Sequence, residues 1–468
     1  MKKILTIVLL LFGLLTIGAC DELDKHTVSF VVDNQIYQKI SIKEGSYIDI
    51  LPDNPIKEGY RFVGWLLDDA FFNFENPIES DLTLSAKFVI KYDGSIVISK
   101  LYTATKIANN IIELYNNSDE VEDLSAYSLN FYQNGSSTVT KSITLSGIIP
   151  ANGYFVIAGS NFREDDYLDT IDFTFEEGSL PYNGDDVIEL VKGELRADII
   201  GHVGHDLNFS KDLTLIRLGK KEDYQPLDDF NSFNFITYLP DVFEYLKNDE
   251  HKIQTLEDLY AGPKLADFYK ELPYANGDQG TGGAVKATLQ GIADGDTATF
   301  NYNNKGNSMS HRYYYINTPE VDGGNVRAEP WGYVASEYNK EHLLKNASTK
   351  EIYVQSVPNY ALTETYNRNI GLIWINNSLS QFLIVSEGLS DDVPVSFGEI
   401  DLLLYWENVP YLTFLQFVEE RARQNGWGTF GYPTNPDGER APDWNYYYDQ
   451  KNTNYSWQPH LPLPWESN

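Results

Sequence analysis

Apolar and polar residues alternate over short runs through most of this chain, with turn-forming residues between the runs. A period of two is typical of half-buried β-strands, so the pattern predicts a mainly β protein with several domains. The pattern becomes helical in residues 256–272, 330–345 and 411–418. Helices are therefore expected beside the strands in the second half of the chain.

The amino terminus has a different pattern, because residues 4–18 form one predominantly apolar run after Lys2 and Lys3. The run is too short for a comfortable membrane span and is typical of a secretion signal, here residues 1–20. Small residues precede Cys20, the only cysteine of the chain, and this end is similar to a lipoprotein signal in which that cysteine is lipidated. A buried thiol behind an apolar helix is the alternative. The signal predicts an extracellular protein, anchored by lipid to the outer face of the cytoplasmic membrane.

Composition and charge narrow the functional classes. A single cysteine allows no disulfide within the chain, so each domain must be stabilised by its own core. The formal net charge of −33 argues against a general nucleic-acid coat protein, because affinity for a duplex depends on neutralising phosphates. This charge does not exclude a nuclease, which needs positive charge only in a local cleft.

Residues 26–90 predict a small β unit of short strands and turns. Gly59-Tyr60, Phe62 and Gly64-Trp65 are followed by an alternating strand at residues 81–88. This segment resembles the internalin B-type (Listeria–Bacteroides) repeat, a β-grasp-like module of surface proteins. The resemblance implies a spacer or an adhesive module with a cell-surface or matrix partner, which the sequence does not identify.

Residues 93–247 carry many short strands at the spacing of a β-sandwich. The tracts IIELYN at 111–116, DLSAYSL at 123–129 and NGDD at 183–186 resemble a lamin-tail domain, which implies an immunoglobulin-like fold with a binding or tethering role. His202 and His205 share one loop, and they indicate either a metal pair or an ordinary polar loop. Residues 248–283 are predicted to be a linker, flexible by composition at 276–283.

Chemically useful side chains concentrate between residues 294 and 368. They comprise the turn Asp294-Gly295-Asp296-Thr297, Arg312 on the next predicted strand, the tract Asn317-Thr318-Pro319-Glu320 at that strand's end, and Arg368 in a polar turn. Oxygen donors of this kind suit a hard cation. Two guanidinium groups suit a phosphate, and a glutamate beside a cation can orient or deprotonate water.

Residues 284–432 are predicted to form one domain of strands and helices. The motifs DGDT, NTPE, EPWG at 329–332 and YNR at 366–368 follow one another as in the staphylococcal nuclease (thermonuclease-like) family, which this segment resembles. The resemblance implies an OB-type barrel of five strands with helices. It also implies hydrolysis of DNA or RNA phosphodiesters with calcium. Residues 433–468 are assigned to a C-terminal extension over the surface of this domain.

The resemblance implies three calcium ligands, namely Asp296, Asn317 and the backbone carbonyl of Thr318. Asn317 departs from the family, which usually has an aspartate at this position. An amide oxygen can bind calcium but carries no charge, so the substitution predicts a lower metal affinity rather than inactivity. Millimolar calcium outside the cell would compensate, as it does at other weak extracellular sites.

The resemblance also implies the catalytic residues. Glu320 would orient or deprotonate the attacking water, and Arg312 and Arg368 would bind the scissile phosphate. Glu364 lies where the family often has an acidic residue near the nucleotide. Four aromatic residues either stack on bases or belong to the core, and these are Tyr313, Tyr315, Trp331 and Tyr366.

Two functions remain open from the sequence. The first is a surface-anchored lipoprotein nuclease that acts on DNA, RNA or both. The second is a non-catalytic adhesin or binding scaffold with a degenerate nuclease-like domain. Retention of Asp296, Glu320 and the two arginines favours the first function. Asn317 and the acidic charge of the chain favour the second.

Overall fold

The computed structural model describes residues 25–431 and 457–466, except residues 49, 75, 303–307, 324–327, 330 and 365. The predicted signal with Cys20 and most of the C-terminal extension lie outside the described residues. The chain divides into two compact units, with the boundary between Asp93 and Gly94. Among the described residues, no helix combines the length and the apolar character that crossing a bilayer requires.

The first unit is one mixed sheet, in agreement with the predicted small β unit. Its strands are Lys25–Val32 (β1), Gln35–Lys43 (β2), Tyr60–Leu67 (β3), Ala70–Phe71 (β4) and Leu82–Ile90 (β5), in the order β2-β1-β5-β3-β4. Only β1 and β5 pair in parallel. One face buries Val28, Phe30, Trp65 and Leu84, with the Phe30 and Trp65 rings edge to face at 4.8 Å. Alternation along β1 and β5 places these apolar residues on the same side.

Two sheets form the sandwich predicted for residues 93–247. The strands are Ile96–Thr103 (β6), Ile111–Asn116 (β7), Glu122–Asp123 (β8), Tyr127–Tyr132 (β9), Lys141–Thr144 (β10), Ile148–Ile149 (β11), Tyr154–Gly159 (β12), Phe173–Phe175 (β13), Val187–Lys192 (β14), Leu195–Ile200 (β15), Leu213–Arg217 (β16) and Phe235–Tyr238 (β17). The sheets have the orders β10-β9-β14-β15 and β13-β12-β7-β6-β16-β17, and β8 pairs with β11 separately. A buried ion pair between Asp198 of β15 and Arg217 of β16 links the two sheets. Asp198 also accepts a hydrogen bond from the backbone N–H of Ile98 at 2.7 Å.

Residues 248–283, predicted to be a linker, contain regular secondary structure, and residues 276–283, predicted to be flexible, include part of a short hairpin. The segment contains the helices Leu256–Tyr260 (α1) and Asp267–Glu271 (α2) and the short hairpin Ala275–Asn276 (β18) with Gln279–Gly280 (β19). Thr255 and Asp258 form a capping box at the start of α1. A Cβ atom on Gly280 would lie 2.3 Å from the carbonyl oxygen of Val357. Glycine at that position permits close packing of the backbone rather than flexibility.

A closed barrel carries the candidate site, as the sequence predicts. Its strands are Ala284–Ile292 (β20), Thr297–Tyr302 (β21), Ser308–Tyr313 (β22), Ile352–Ser356 (β23) and Asn369–Ile375 (β24), with Ser378–Leu379 (β25) at the edge. The order is β22-β21-β20-β23-β24-β25, and a parallel pairing of β22 with β24 closes the barrel. The helices are Gly332–Glu337 (α3), continued by a π-helix at Tyr338–Leu343, then Ser380–Ser386 (α4) and Tyr411–Asn425 (α5). Tyr405–Trp406 (β26) pairs with Val409–Pro410 (β27) before α5.

The sandwich and the barrel share one hydrophobic core within the second unit. The Thr413 hydroxyl on α5 donates a hydrogen bond to the carbonyl of Thr237 on β17 at 3.1 Å. The backbone N–H of Leu239 donates to the carbonyl of Asn408 at 2.8 Å, and the rings of Phe233 and Phe417 meet edge to face. The two domains are therefore packed against each other, which the sequence pattern did not predict.

Candidate active site

Asp296 is the buried centre of the site, in the turn between β20 and β21. Its Oδ2 atom accepts hydrogen bonds from the backbone N–H of Thr318 at 2.6 Å and from the Thr318 hydroxyl at 3.1 Å. Its Oδ1 atom accepts from the Thr297 hydroxyl at 3.1 Å. Burial raises the pKa of Asp296 to about 6, although Arg312 and the N–H of Thr318 act in the opposite direction.

Arg312 lies on β22 and reaches the two predicted side-chain calcium ligands with one guanidinium group. Nη1 donates a hydrogen bond to Asp296 Oδ1, and Nη2 donates to Asn317 Oδ1. The Arg312 side chain is 18% exposed and the Asp296 side chain only 1% exposed. The ion pair therefore lies at the edge of the barrel, with the carboxylate on the buried side and the guanidinium towards solvent.

The tract from Asn317 to Glu320 lies in the loop after β22, and hydrogen bonds hold it at its first and last residues. The hydroxyl of Ser390, a buried residue after α4, lies 3.3 Å from the backbone N of Asn317 and 3.1 Å from its carbonyl oxygen. The backbone N–H of Glu320 donates to the Glu329 carboxylate at 2.9 Å, and the N–H of Glu329 donates back to the Glu320 carbonyl at 2.9 Å. These contacts hold the loop on which the partly exposed Glu320 carboxylate is carried.

Arg368 approaches the same place from the residue before β24. Its Nε atom donates a hydrogen bond to Glu364 Oε1, and Nη1 lies 3.5 Å from the Thr297 hydroxyl. Because that hydroxyl also donates to Asp296, Arg368 is connected to the buried carboxylate through one side chain. The structure thus brings Asp296, Arg312, Asn317 and Arg368 together, although 72 residues separate the first from the last.

Sequence models of three families match this chain. The Listeria-Bacteroides repeat domain matches residues 26–87, the Lamin Tail Domain matches residues 91–204, and the Staphylococcal nuclease homologue matches residues 310–409. This chain contains a staphylococcal nuclease-homologue domain. The three domains occur in the order that the sequence predicts.

Two curated proteins are similar to the part of the chain that includes the nuclease-homologue domain. Both are from Bacillus subtilis (strain 168). Endonuclease YncB is 27% identical over 154 residues, which are 32% of this chain and 65% of YncB. SPbeta prophage-derived endonuclease YokF is 28% identical over 153 residues, which are 32% of this chain and 46% of YokF. The similarity thus spans less than two thirds of either relative.

The nuclease-homologue domain extends beyond the matched residues. The match begins at Ser310, after the turn that contains Asp296. The structure places β20 and β21 in the same barrel as the matched strands, with Thr297 directly opposite Arg312 in the pairing of β21 and β22. The barrel therefore begins at Ala284, and the Asp296 turn belongs to the nuclease-homologue domain.

Calcium fits the oxygen donors of the site in chemical type, and their charge is small. The side-chain oxygens of Asp296 and Asn317 and the carbonyl of Thr318 are hard donors, which calcium prefers. Asp296 supplies the only carboxylate of the three. Within the described residues, no three histidine, cysteine, aspartate or glutamate side chains group closely enough to hold a metal ion. The donor set therefore suits a weakly bound calcium ion. Although Asp229 lies 3.7 Å from His202, the pair His202 and His205 is not part of a metal-holding group among the described residues.

Three of the four candidate stacking residues belong to the core. Tyr313, Tyr315 and Trp331 are buried, which favours the structural alternative for them. Tyr366 is 79% exposed, and the guanidinium carbon of Arg368 lies 5.7 Å from the centre of its ring. Tyr366 therefore remains available to stack on a base beside the arginine.

Asn339 supports the site and was missed in the sequence analysis. It is fully buried in the π-helix, where its Nδ2 atom donates to the Asp294 carbonyl at 3.0 Å and its Oδ1 atom accepts from the Tyr313 hydroxyl at 3.3 Å. Asp294 Oδ1 in turn accepts from the backbone N–H of Asp296 at 3.2 Å. An isolated polar residue in a helical pattern does not reveal that it supports a neighbouring turn. The π-helix that places Asn339 there is a wider helical turn, and it depends on packing rather than on the local sequence.

Proposed function

We propose that the nuclease-homologue domain hydrolyses phosphodiester bonds of DNA, RNA or both, with calcium as cofactor. The observation that carries this proposal is the convergence of Asp296, Arg312 and Arg368 at the ends of three barrel strands. The domain match and the two endonuclease relatives support nuclease activity as the general class of this function. The scaffold alternative accounts for the Arg312–Asp296 ion pair as a structural contact, but it gives no role to Arg368, which reaches Asp296 only through the Thr297 hydroxyl.

The two arginines would bind the non-bridging oxygens of the scissile phosphate. Diester hydrolysis increases negative charge on these oxygens in the transition state, and fixed guanidinium groups match that charge. Glu364 holds the Nε side of Arg368, and Nη1 of Arg368 lies 3.5 Å from the Thr297 hydroxyl. Glu320, on the loop fixed by Ser390 and Glu329, would orient the attacking water or accept its proton.

Asp296, Asn317 and the Thr318 carbonyl would hold the calcium ion. When bound, the ion would supply positive charge beside the phosphate and lower the pKa of a coordinated water. The backbone and hydroxyl hydrogen bonds of Thr318 keep the Asp296 carboxylate in one orientation for this role. Because the carboxylate is buried, each fixed charge nearby acts more strongly than it would in water.

The direct test is digestion of single-stranded DNA, double-stranded DNA and RNA by the full chain at millimolar calcium, with a chelator as the parallel condition. We expect cleavage of at least one polymer with calcium and none with chelator. If the full chain cleaves none of them at millimolar calcium, the non-catalytic scaffold becomes the better account.

Asn317→Asp is expected to tighten calcium binding about tenfold, because it adds a second carboxylate to the ligands. The gain is limited to this size because residue 317 is exposed and its charge is screened by solvent. Calorimetric titration with calcium measures this effect. Asn346→Asp adds the same charge at an exposed loop residue before β23 and is expected to leave the affinity within about twofold. Equal affinities of wild type and Asn317→Asp would show that residue 317 is not a metal ligand.

We also propose that Cys20 carries lipid and anchors the protein outside the cell, with the first two domains directed to a cell-surface or matrix partner. The apolar run before Cys20 supports this localisation. Cys20→Ser is expected to move the protein from the membrane fraction to the culture medium, since the anchor is lost. Retention of the variant in the membrane fraction after a salt wash would contradict lipid anchoring at this residue.

A further inference from the structure

The guanidinium group of Arg312 binds the same two side-chain oxygens that are assigned to calcium. Nη1 and Nη2 donate to Asp296 Oδ1 and Asn317 Oδ1, so one planar fork joins the two residues. The other carboxylate oxygen of Asp296 already accepts two hydrogen bonds from Thr318. A divalent cation on Asp296 and Asn317 must therefore meet the guanidinium at their shared oxygens.

Charge makes simultaneous occupancy of these oxygens unfavourable. A guanidinium and a divalent cation bound to one carboxylate oxygen would repel each other at a few ångströms, and the repulsion is strong beside a buried group. Asp296 is the only carboxylate of the donor set, so it cannot neutralise both cations. Arg312 also has a second suitable partner, because its side chain reaches the solvent edge where a phosphate would bind.

We propose that Arg312 and calcium exchange on Asp296 and Asn317, so that metal binding releases the guanidinium fork to the phosphate of the substrate. This inference rests on the proposed nuclease function and concerns the same site. Without calcium, the positively charged Arg312 side chain hydrogen-bonds both Asp296 and Asn317 and holds them together. After the exchange, calcium holds them and Arg312 binds the phosphodiester.

The exchange makes calcium and substrate assist each other. A phosphodiester that binds Arg312 removes the competing cation from Asp296, and calcium that binds Asp296 frees Arg312 for the phosphodiester. The two affinities must rise by the same factor, because binding free energies are reciprocal. If Arg312 only bound the phosphate and never contacted the calcium ligands, the increase in affinity that comes from the exchange would be absent.

Arg368 supplies a matched control, because it is a second arginine of the site with different partners. Its Nε atom is bound to Glu364, and its Nη1 atom lies near the Thr297 hydroxyl rather than on the proposed metal ligands. Removing Arg368 deletes a positive charge from the site without vacating Asp296 or Asn317. The change in calcium affinity on removing Arg368 therefore reports the effect of losing one positive charge from the site. Any larger change on removing Arg312 reports its competition with calcium for Asp296 and Asn317.

The test is calcium affinity, measured by calorimetry at pH 8 on the full chain in four forms: wild type, Arg312→Met, Arg312→Lys and Arg368→Met. We expect Arg312→Met to bind calcium about tenfold more tightly than wild type and Arg368→Met to stay within about threefold. Arg312→Lys should lie between wild type and Arg312→Met, because an ammonium group cannot join the two oxygens as a fork does. Thermal unfolding shows which variants are folded. If Arg312→Met does not fold, the comparison of Arg312→Lys with wild type provides the test.

Unchanged or weaker calcium binding by the folded Arg312 variants would overturn the exchange. A second readout is the calcium affinity in the presence of a saturating phosphorothioate dinucleotide, which should rise by a larger factor in wild type than in Arg312→Met. Failure of the exchange is distinguishable from failure of the nuclease proposal. In the first case wild type cleaves nucleic acid with calcium while the Arg312 variants bind calcium no better, and in the second wild type does not cleave at all.

Discussion

Replacing Glu320 with glutamine is expected to lower the rate constant for phosphodiester cleavage about a thousandfold. Glutamine has nearly the same shape and can still accept a hydrogen bond, but it cannot take a proton from water. The backbone contacts between residues 320 and 329 do not involve the Glu320 side chain, so the loop should keep its position. Cleavage kinetics at saturating calcium and substrate measure the effect.

The matched control for this prediction is Glu337→Gln, which removes one negative charge from the exposed side of α3. Its cleavage rate should stay within about twofold of wild type, since exposed single charges have small effects. If Glu320→Gln cleaves as fast as Glu337→Gln, another group must activate the water. Calcium affinity should be nearly the same in both variants, which separates loss of the base from loss of the metal.

Replacing Arg368 with methionine is expected to lower kcat/KM for cleavage about a thousandfold, because the transition state loses one fixed guanidinium. Arg368→Lys should recover only part of the loss, since lysine retains the charge without the planar fork. The measurement is kcat/KM on a short oligonucleotide at fixed calcium and ionic strength. Thermal unfolding should change little, because the Arg368 side chain is 27% exposed and its ion pair with Glu364 is local.

Arg423→Met provides the comparison for Arg368. Arg423 lies on α5, its side chain is 52% exposed, and it pairs with glutamates of the same helix. The net charge of the protein changes equally in both variants, but only Arg368 lies beside Asp296. A similar loss of activity in Arg423→Met would indicate that the overall charge, rather than a phosphate contact, explains the effect.

The positions of the site residues could be predicted because each stands next to a strand end that the polar pattern marks. Asp296 directly precedes β21, Arg368 directly precedes β24, and Asn317 lies in the loop that follows β22, beyond its last residue Tyr313. In a closed barrel, neighbouring strands bring such ends together. The motifs at these places therefore predicted which side chains meet, although the separate hydrogen bonds of Arg312 to Asp296 and Asn317 depend on side-chain geometry that sequence spacing does not determine.

The packing around the site could not be predicted in the same way. Glycines at residues 280 and 283 indicated flexibility by composition, whereas the structure uses them for close backbone contacts, with the Pro273 carbonyl oxygen 2.2 Å from a Cβ atom placed on Gly283. Likewise, Ser390 and Asn339 are ordinary polar residues in sequence. Their roles arise because the loop after α4 and the π-helix pack against the Asp294–Asn317 region.

The shared core of the sandwich and the barrel is a further property that local patterns do not show. An apolar residue on α5, such as Phe417, has the same periodic signal whether it contacts its own domain or the neighbouring one. Contacts such as Thr413 with Thr237 join residues 176 positions apart. Sequence patterns therefore identified the domains, and the structure was needed to show that two of them form one body.

The most direct test of the site is a crystal structure of the full chain with calcium and a phosphorothioate oligonucleotide that resists cleavage. We expect one phosphate whose non-bridging oxygens contact Arg312 and Arg368, a cation on Asp296, and Glu320 facing the phosphorus atom. An oligonucleotide bound elsewhere, with Arg312 still joining Asp296 to Asn317 and no phosphate between the arginines, would contradict this expectation.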